Sequence, residues 1–260
     1  MRVFSKTDIG KKRKENQDRV WAGALSENAV AIVLCDGMGG ENAGSRASQM
    51  TVDFIVERML QGFRGDVNDA DVENQRMSTL PEKTNRNTIR NLMLTSLIAS
   101  NRLVYSESSS DINKHGMGTT CVCAIVHNER AYIINVGDSR AYHIFDDNIQ
   151  QITKDHTYIR ALLEEGEITL EESLTHPSRN AITRAVGAEE NVTPDYFEIE
   201  LQKESILLLC SDGLHSYGND AQIAEIIVNN PKNKACDLLV DYALSKGGSD
   251  NITVGLVVMP

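Results

Sequence analysis

The 260-residue sequence predicts an α+β fold in which antiparallel sheets are flanked by helices. Three observations point there: two amphipathic helical stretches in the first half, a dense group of short hairpin strands after residue 119, and one late helix before a last strand. A doubly wound parallel sheet would need regular strand–helix alternation, which this chain lacks. Its 41% apolar and 24% charged residues are those of an ordinary globular chain able to bury a substantial core.

The elements follow in order. Residues 29–35, Ala-Val-Ala-Ile-Val-Leu-Cys, are the longest uninterrupted apolar run and end in Asp36-Gly37, which reads as a buried strand. Residues 44–60 carry Val52, Ile55, Val56 and Met59 at the spacing of one helix face. Residues 61–87 are polar, rich in Asn and Asp, and contain Pro81; they read as a loop-like insertion in a single domain spanning 1–260. A second helix is predicted over 88–105, with Ile89, Leu92, Met93 and Leu97 on one face. Strands at 120–126, 132–136, 141–145 and 150–153 form a meander, with turns at Asn128-Glu129 and Asp146-Asp147-Asn148. Residues 157–183 are polar and partly helical, a surface excursion. Strands at 197–201 and 206–210 follow. A helix striped by Ala235, Leu238, Leu239, Tyr242 and Ala243 precedes the last strand, 252–259.

Charge and cysteine usage remove several function classes. With 26 basic and 37 acidic residues the net charge is −11, which disfavours a nucleic-acid partner. The one basic run, Lys11-Lys12-Arg13-Lys14, reads as a solvated turn. The longest apolar run falls far short of the roughly 20 residues of a membrane-spanning helix. The start of the chain has no apolar stretch suited to a secretory signal, so a cytoplasmic location is expected. Cys35, Cys121, Cys123, Cys210 and Cys236 include no C-x-x-C pair and read as small core hydrophobes. None is followed by an arginine six residues on, which excludes a cysteine-nucleophile phosphatase loop. P-loop and Rossmann glycine patterns are also missing.

The informative feature is where aspartates fall. Asp36-Gly37 and Ser211-Asp212-Gly213 each end a buried strand, Val136-Gly137-Asp138 ends a third, and Asp250-Asn251 stands just before the last. A single Asp-Gly is ordinary turn chemistry. Four acids at strand ends are another matter, because convergent carboxylates repel one another unless a cation lies between them. Carboxylates without His or Cys suit hard ions such as Mg²⁺ or Mn²⁺.

These residues resemble the PPM family, the metal-dependent Ser/Thr protein phosphatases of type 2C. The resemblance is carried, in the family's order, by Thr7-Asp8-Ile9-Gly10 through Arg13 to Asn16-Gln17-Asp18, Asp36-Gly37-Met38-Gly39-Gly40, Met117-Gly118-Thr119-Thr120, Val136-Gly137-Asp138-Ser139-Arg140, Ser211-Asp212-Gly213 and Asp250-Asn251. Met38 points to the bacterial branch. The resemblance implies a sandwich of two antiparallel sheets with helices outside, a four-layer αββα arrangement, and a metal centre at one end. It implies that Asp36 bridges two metals, that the Gly37 carbonyl holds one of them, and that Asp212 and Asp250 complete the other. Asp138 would help hold a third ion, and Asp18 would lie beside the second. Arg13 matches an arginine that binds substrate phosphate in some relatives; its alternative is an ordinary place in the basic turn.

The implied activity is hydrolysis of phosphoserine and phosphothreonine by in-line attack of a water shared between two metals. The implied cofactors are two or three Mn²⁺ or Mg²⁺ ions, and the implied partners are phosphorylated proteins and an opposing bacterial Ser/Thr kinase, with the chain a monomer. The alternative is a pseudo-phosphatase that keeps the fold as a phosphoprotein-binding module; the loss of core acids that would mark it is not seen. Two departures stand out. Gln17 replaces a metal-binding glutamate of animal members, and Met38 replaces their proposed proton-donating histidine, leaving that donor unassigned. His156, after the last hairpin, reads as a surface or capping residue. Residues 157–183 resemble the flap that borders the site in bacterial members.

Overall fold

Strands that are apolar at every position must be buried on both faces, and the arrangement of the chain shows how. The computed structural model describes residues 1–40, 42–64, 85–146, 148–178, 181–217 and 219–260. Strands β1 (Arg2–Asp8), β2 (Asp18–Ser26) and β3 (Ala29–Met38) lead into helices α1 (Ala43–Arg64) and α2 (Arg86–Ser110). There follow β4 (Gly118–Thr119), β5 (Cys121–His127), β6 (Arg130–Val136), β7 (Arg140–Phe145) and β8 (Asn148–Gln151). Short helices α3 (Tyr158–Glu165) and α4 (Leu170–Thr175) come next, then β9 (Asp195–Glu200) and β10 (Ile206–Cys210). The chain continues through α5 (Asp212–His215), α6 (Asp220–Val228) and α7 (Lys232–Ser245) to β11 (Ile252–Val258).

All pairings between these strands are antiparallel. One sheet runs β1-β11-β10-β7-β8 and the other β2-β3-β5-β6-β9, with β4 on the end of β3. Alternation along each strand divides the core into three layers. In β3, Ala31, Val33 and Cys35 pack under α1 and α2, while Val30, Ile32 and Leu34 face the other sheet. In β10, Leu207 and Leu209 join that inter-sheet layer, and Ile206, Leu208 and Cys210 pack under the late helices. Each buried Val, Leu or Ile among them contributes about 1.5–3 kcal/mol by leaving water. All five cysteines are free and buried in these layers, as expected of small hydrophobes.

Several expectations are corrected. α1 does not stop at residue 60 but continues to Arg64, and α2 begins at Arg86 and runs to Ser110. The insertion predicted over 61–87 is therefore helical at both ends, and its residues 65–84 lie outside the described residues. Asn85 starts α2 by accepting the Thr88 N–H on its side-chain oxygen at 3.0 Å. Strands β1 and β2 and helix α6 have no counterpart in the sequence reading. β1 is an edge strand and mostly exposed or half-buried, so its sequence shows no apolar face. α6 carries the short run Ile226-Ile227-Val228, whose period is ambiguous between helix and strand. The excursion at 157–183 is partly helical, as expected, yet Ile159 and Leu162 of α3 are buried. Among the described residues no helix is long and apolar enough to cross a membrane.

Candidate metal centre

The predicted acids meet where the two sheets end together. Asp18 and Asp36 lie directly opposite each other across the β2–β3 ladder. Asp212 follows β10, and Asp250 precedes β11 in the other sheet. Glycines make the approach possible. A Cβ on Gly213 would lie 1.9 Å from the Asn251 carbonyl oxygen, and one on Gly37 would lie 2.2 Å from that of Gly44. The first contact sets the Asp212 turn against Asp250-Asn251; the second lets the start of α1 close on the end of β3.

Side chains then fix each acid. The Ser211 hydroxyl reaches across the sandwich to donate to Asp18 Oδ2 at 2.8 Å, and its oxygen accepts the Thr253 N–H at 3.0 Å. The Asp36 backbone is held by Thr120, whose Oγ1 accepts its N–H at 3.0 Å, and by the Thr119 hydroxyl, which donates to its carbonyl at 2.8 Å. The carboxylates themselves are poorly compensated. Among the described residues Asp18 Oδ1 and Asp212 Oδ1 are buried without any hydrogen-bond partner.

The electrostatics follow from that crowding. Burial pushes Asp36 well above the carboxylate range, and Asp18, Asp212, Asp138 and Asp250 push it further. Burial also raises Asp212 to about 8, with Asp138 and Asp250 adding to it. Asp18 rises to about 6 through burial, despite the Ser211 hydroxyl. Asp138 rises to about 6 through burial and the nearby Asp155. Among the described residues no group of three or more acidic, histidine or cysteine side chains is already drawn together as a closed metal cage. Buried, unpartnered carboxylate oxygens with raised proton affinity, and no nitrogen or sulfur donor among them, fit hard divalent cations.

Arg13 is not merely part of the basic turn: its guanidinium donates to Asp250 Oδ2 at 2.6 Å. Gln17 packs its side-chain oxygen near Gly44, while its backbone carbonyl accepts from the Gly37 N–H at 3.2 Å and the Ser48 hydroxyl at 2.5 Å. Met38 lies over Gly118 and lines a cleft of about 350 Å³ with Thr183, Arg184, Ala185 and Glu189.

A family model described as protein phosphatase 2C matches residues 10–229. The chain belongs to the protein phosphatase 2C family. It is 35% identical over 258 residues to the serine/threonine phosphatase stp of Listeria innocua, covering 99% of this chain and 95% of that protein. Among solved structures it is similar to the serine/threonine phosphatase Stp1 from Staphylococcus aureus, with TM-score 0.85 at 35% identity over 99% of this chain and 94% of that one. It is also similar to the catalytic domain of PstP in complex with 2 manganese ions, with TM-score 0.77 at 29% identity over 100% and 98% of the two chains. The predicted two-sheet α+β architecture is thus that of protein phosphatase 2C, and the chain is a metal-dependent protein-serine/threonine phosphatase.

Two histidines near this phosphatase 2C centre are absent from the site read in the sequence. His156 is not a surface residue; it is 6% exposed. Its ring Nδ1 accepts the Gly137 N–H at 3.1 Å and its backbone N–H donates to the Gly137 carbonyl at 2.9 Å. The ring proton therefore sits on Nε2, 3.3 Å from Asp195 Oδ2. His215 donates from Nε2 to the Asp138 carbonyl at 3.1 Å, and burial drives its pKa down to about 3, so it stays neutral. Two imidazoles thus hold the Gly137-Asp138 turn. The Asp-His and His-Ser dipeptides that contain them carry no local signal of this.

Proposed function

We propose that the chain hydrolyses phosphoserine and phosphothreonine in proteins at a centre of two or three Mn²⁺ or Mg²⁺ ions. Asp36, the Gly37 carbonyl, Asp212 and Asp250 would hold the principal pair, with Asp18 alongside and Asp138 at a third ion. The observation that carries this reading is the pair of buried, unpartnered oxygens, Asp18 Oδ1 and Asp212 Oδ1, where both sheets end. When bound, such ions supply a nucleophilic water near neutral pH and offset the charge that spreads over the phosphoryl group.

The chain's own residues do the rest. Arg13 exchanges its hold on Asp250 for the substrate phosphate, turning an internal ion pair into a phosphate clamp. Ser211 keeps one oxygen of Asp18 engaged so that the other is presented inward. Met38 offers no proton and serves as an apolar wall beside the Gly118 backbone. Residues 157–183 act as a flap rooted at His156, whose carbonyl accepts the Thr183 N–H at 2.8 Å. The reading includes a monomer that opposes a bacterial Ser/Thr kinase. Five unpaired cysteines suit the reducing cytoplasm it would work in.

Phosphate release from a phosphothreonine peptide tests it. Turnover should require Mn²⁺, cease in EDTA, and fall by about a thousandfold or more in Asp212→Asn. Calorimetric titration of that variant should show weakened Mn²⁺ binding. A folded Asp212→Asn protein with undiminished turnover would sink the assignment.

A further inference from the structure

The lysine run read from the sequence as a solvated turn stands on a clamped arch beside the acid centre. Residues 9–17 join β1 to β2. Asn251 grips both feet: its Nδ2 donates to the Ile9 carbonyl at 2.9 Å and the Glu15 carbonyl at 3.0 Å, and its Oδ1 accepts the Gln17 N–H at 2.8 Å. Lys11 N–H donates to the Gly248 carbonyl at 2.7 Å. Gly10, at φ +77°, comes so near Asp250 that a Cβ there would lie 2.1 Å from its carbonyl oxygen. The arch is therefore fixed to the segment that carries Asp250.

At its crown the four basic residues divide. Arg13 reaches Asp250, whereas Lys11, Lys12 and Lys14 are exposed. Among the described residues the three ammonium groups have neither a hydrogen-bond nor an ion-pair partner. The acids nearest in sequence are engaged elsewhere, Asp8 Oδ1 with the Gly10 N–H at 2.8 Å and Glu15 Oε2 with the Asn42 N–H at 3.3 Å. Three exposed cations around Arg13, on an arch fixed to the Asp250 segment of a chain of net charge −11, are a local reversal of the molecule's field.

We propose that Lys11, Lys12 and Lys14 form a docking strip for acidic residues flanking the phosphorylated residue, so that the preferred substrates are phosphoproteins with Asp or Glu close to the phosphothreonine. This rests on the phosphatase reading above. With the phosphate on Arg13, an extended peptide rising about 3.3 Å per residue brings its neighbouring side chains past Lys12 and Lys14. An exposed charge pair contributes little alone, but three mobile ammonium groups act together and need no fixed geometry. Such a strip selects by flanking charge rather than by a strict motif, and its effect is screened by salt.

The test compares phosphothreonine peptides with acidic, neutral and basic flanks, by kcat/KM with Mn²⁺ and by fluorescence anisotropy of labelled peptide. It uses the wild type, the K11E/K12E/K14E triple and the K11Q/K12Q/K14Q triple, each first checked for cooperative melting. The wild type should favour the acidic over the basic peptide by about tenfold at low ionic strength, shrinking toward parity near 0.5 M salt. The glutamate triple should reverse the order and the glutamine triple should abolish it. No preference in the wild type, or the same preference in all three proteins, overturns the proposal. Wild-type protein that binds acidic peptides preferentially but releases no phosphate would refute the phosphatase reading and leave the strip standing.

Discussion

Asp212 shows at a single residue what the site demands of its surroundings. Burial and the neighbouring carboxylates of Asp138, Asp250 and Asp18 lift it to about 8, and Asp18 and Asp138 rise to about 6. In the metal-free chain these acids stay protonated when folded over a pH range in which the unfolded chain has already released those protons. Folding then takes up protons, so stability is greatest below about pH 4 for this contribution and is lost as pH rises toward 8. Melting in EDTA should therefore fall by about 5 °C or more between pH 5 and pH 8, and saturating Mn²⁺ should flatten the dependence. A metal-free melting temperature that rises over the same interval would count against the crowding described here. Arg13 offsets part of this crowding by pairing with Asp250, whereas one oxygen each of Asp18 and Asp212 is buried without a partner among the described residues.

At the scale of elements, the links that matter join turns to one another. His156 ties the Gly137-Asp138 turn to segment 157–183 through its backbone carbonyl, which accepts the Thr183 N–H, and lies against Arg184, which itself donates to Asp195 Oδ1 at 2.9 Å. Replacing it by Ala leaves the Gly137 N–H buried without its partner, and should cost about 1–3 kcal/mol of stability, read by urea unfolding. Limited proteolysis should then cut within 157–178 faster than in the wild type through loss of the imidazole's contacts with Arg184 and Asp195, whereas unchanged cleavage would show that the backbone bond from Thr183, which Ala keeps, holds the segment by itself. Little of this was legible beforehand. The Asp-Gly strand endings declare themselves only as a set, because four acids at the ends of apolar strands repel one another unless a cation lies between them. The helix stripes at Val52–Met59 and Ile89–Leu97 declare themselves by period. A histidine whose partners are 19 residues away in one direction and 27 or more in the other leaves no periodic trace. Nor does β1, whose pairing with β11 spans nearly the whole chain.

For the molecule as a whole, the centre is a property of the sandwich and not of either sheet. Asp18 and Asp36 belong to one sheet, Asp212 and Asp250 to the margins of the other, and the spacing between sheets sets their separation. The sheets approach closely at Gly255 of β11, where a Cβ would lie 2.9 Å from an Ile32 methyl across the interface. Gly255→Val should destabilise the fold by about 1–3 kcal/mol through overpacking. It should also weaken Mn²⁺ binding by calorimetry, although Gly255 touches none of the acids; unaltered affinity in a destabilised variant would show that the sheets move independently of the centre. The same arrangement bears on how the protein is made. A growing chain extends from its N-terminus at about 5–20 residues per second, and early segments begin to order before later ones exist. Both long helices and all of β2–β10 can be synthesised while Asp250, Asn251 and β11 are still missing. Until they emerge, β1 lacks its neighbour, the arch has no clamp, and the centre lacks an acid. On the metal-ligand set proposed above, a partly synthesised chain would lack one ligand and the clamp on its arch, so phosphate hydrolysis would begin only once residues 250–258 have left the ribosome.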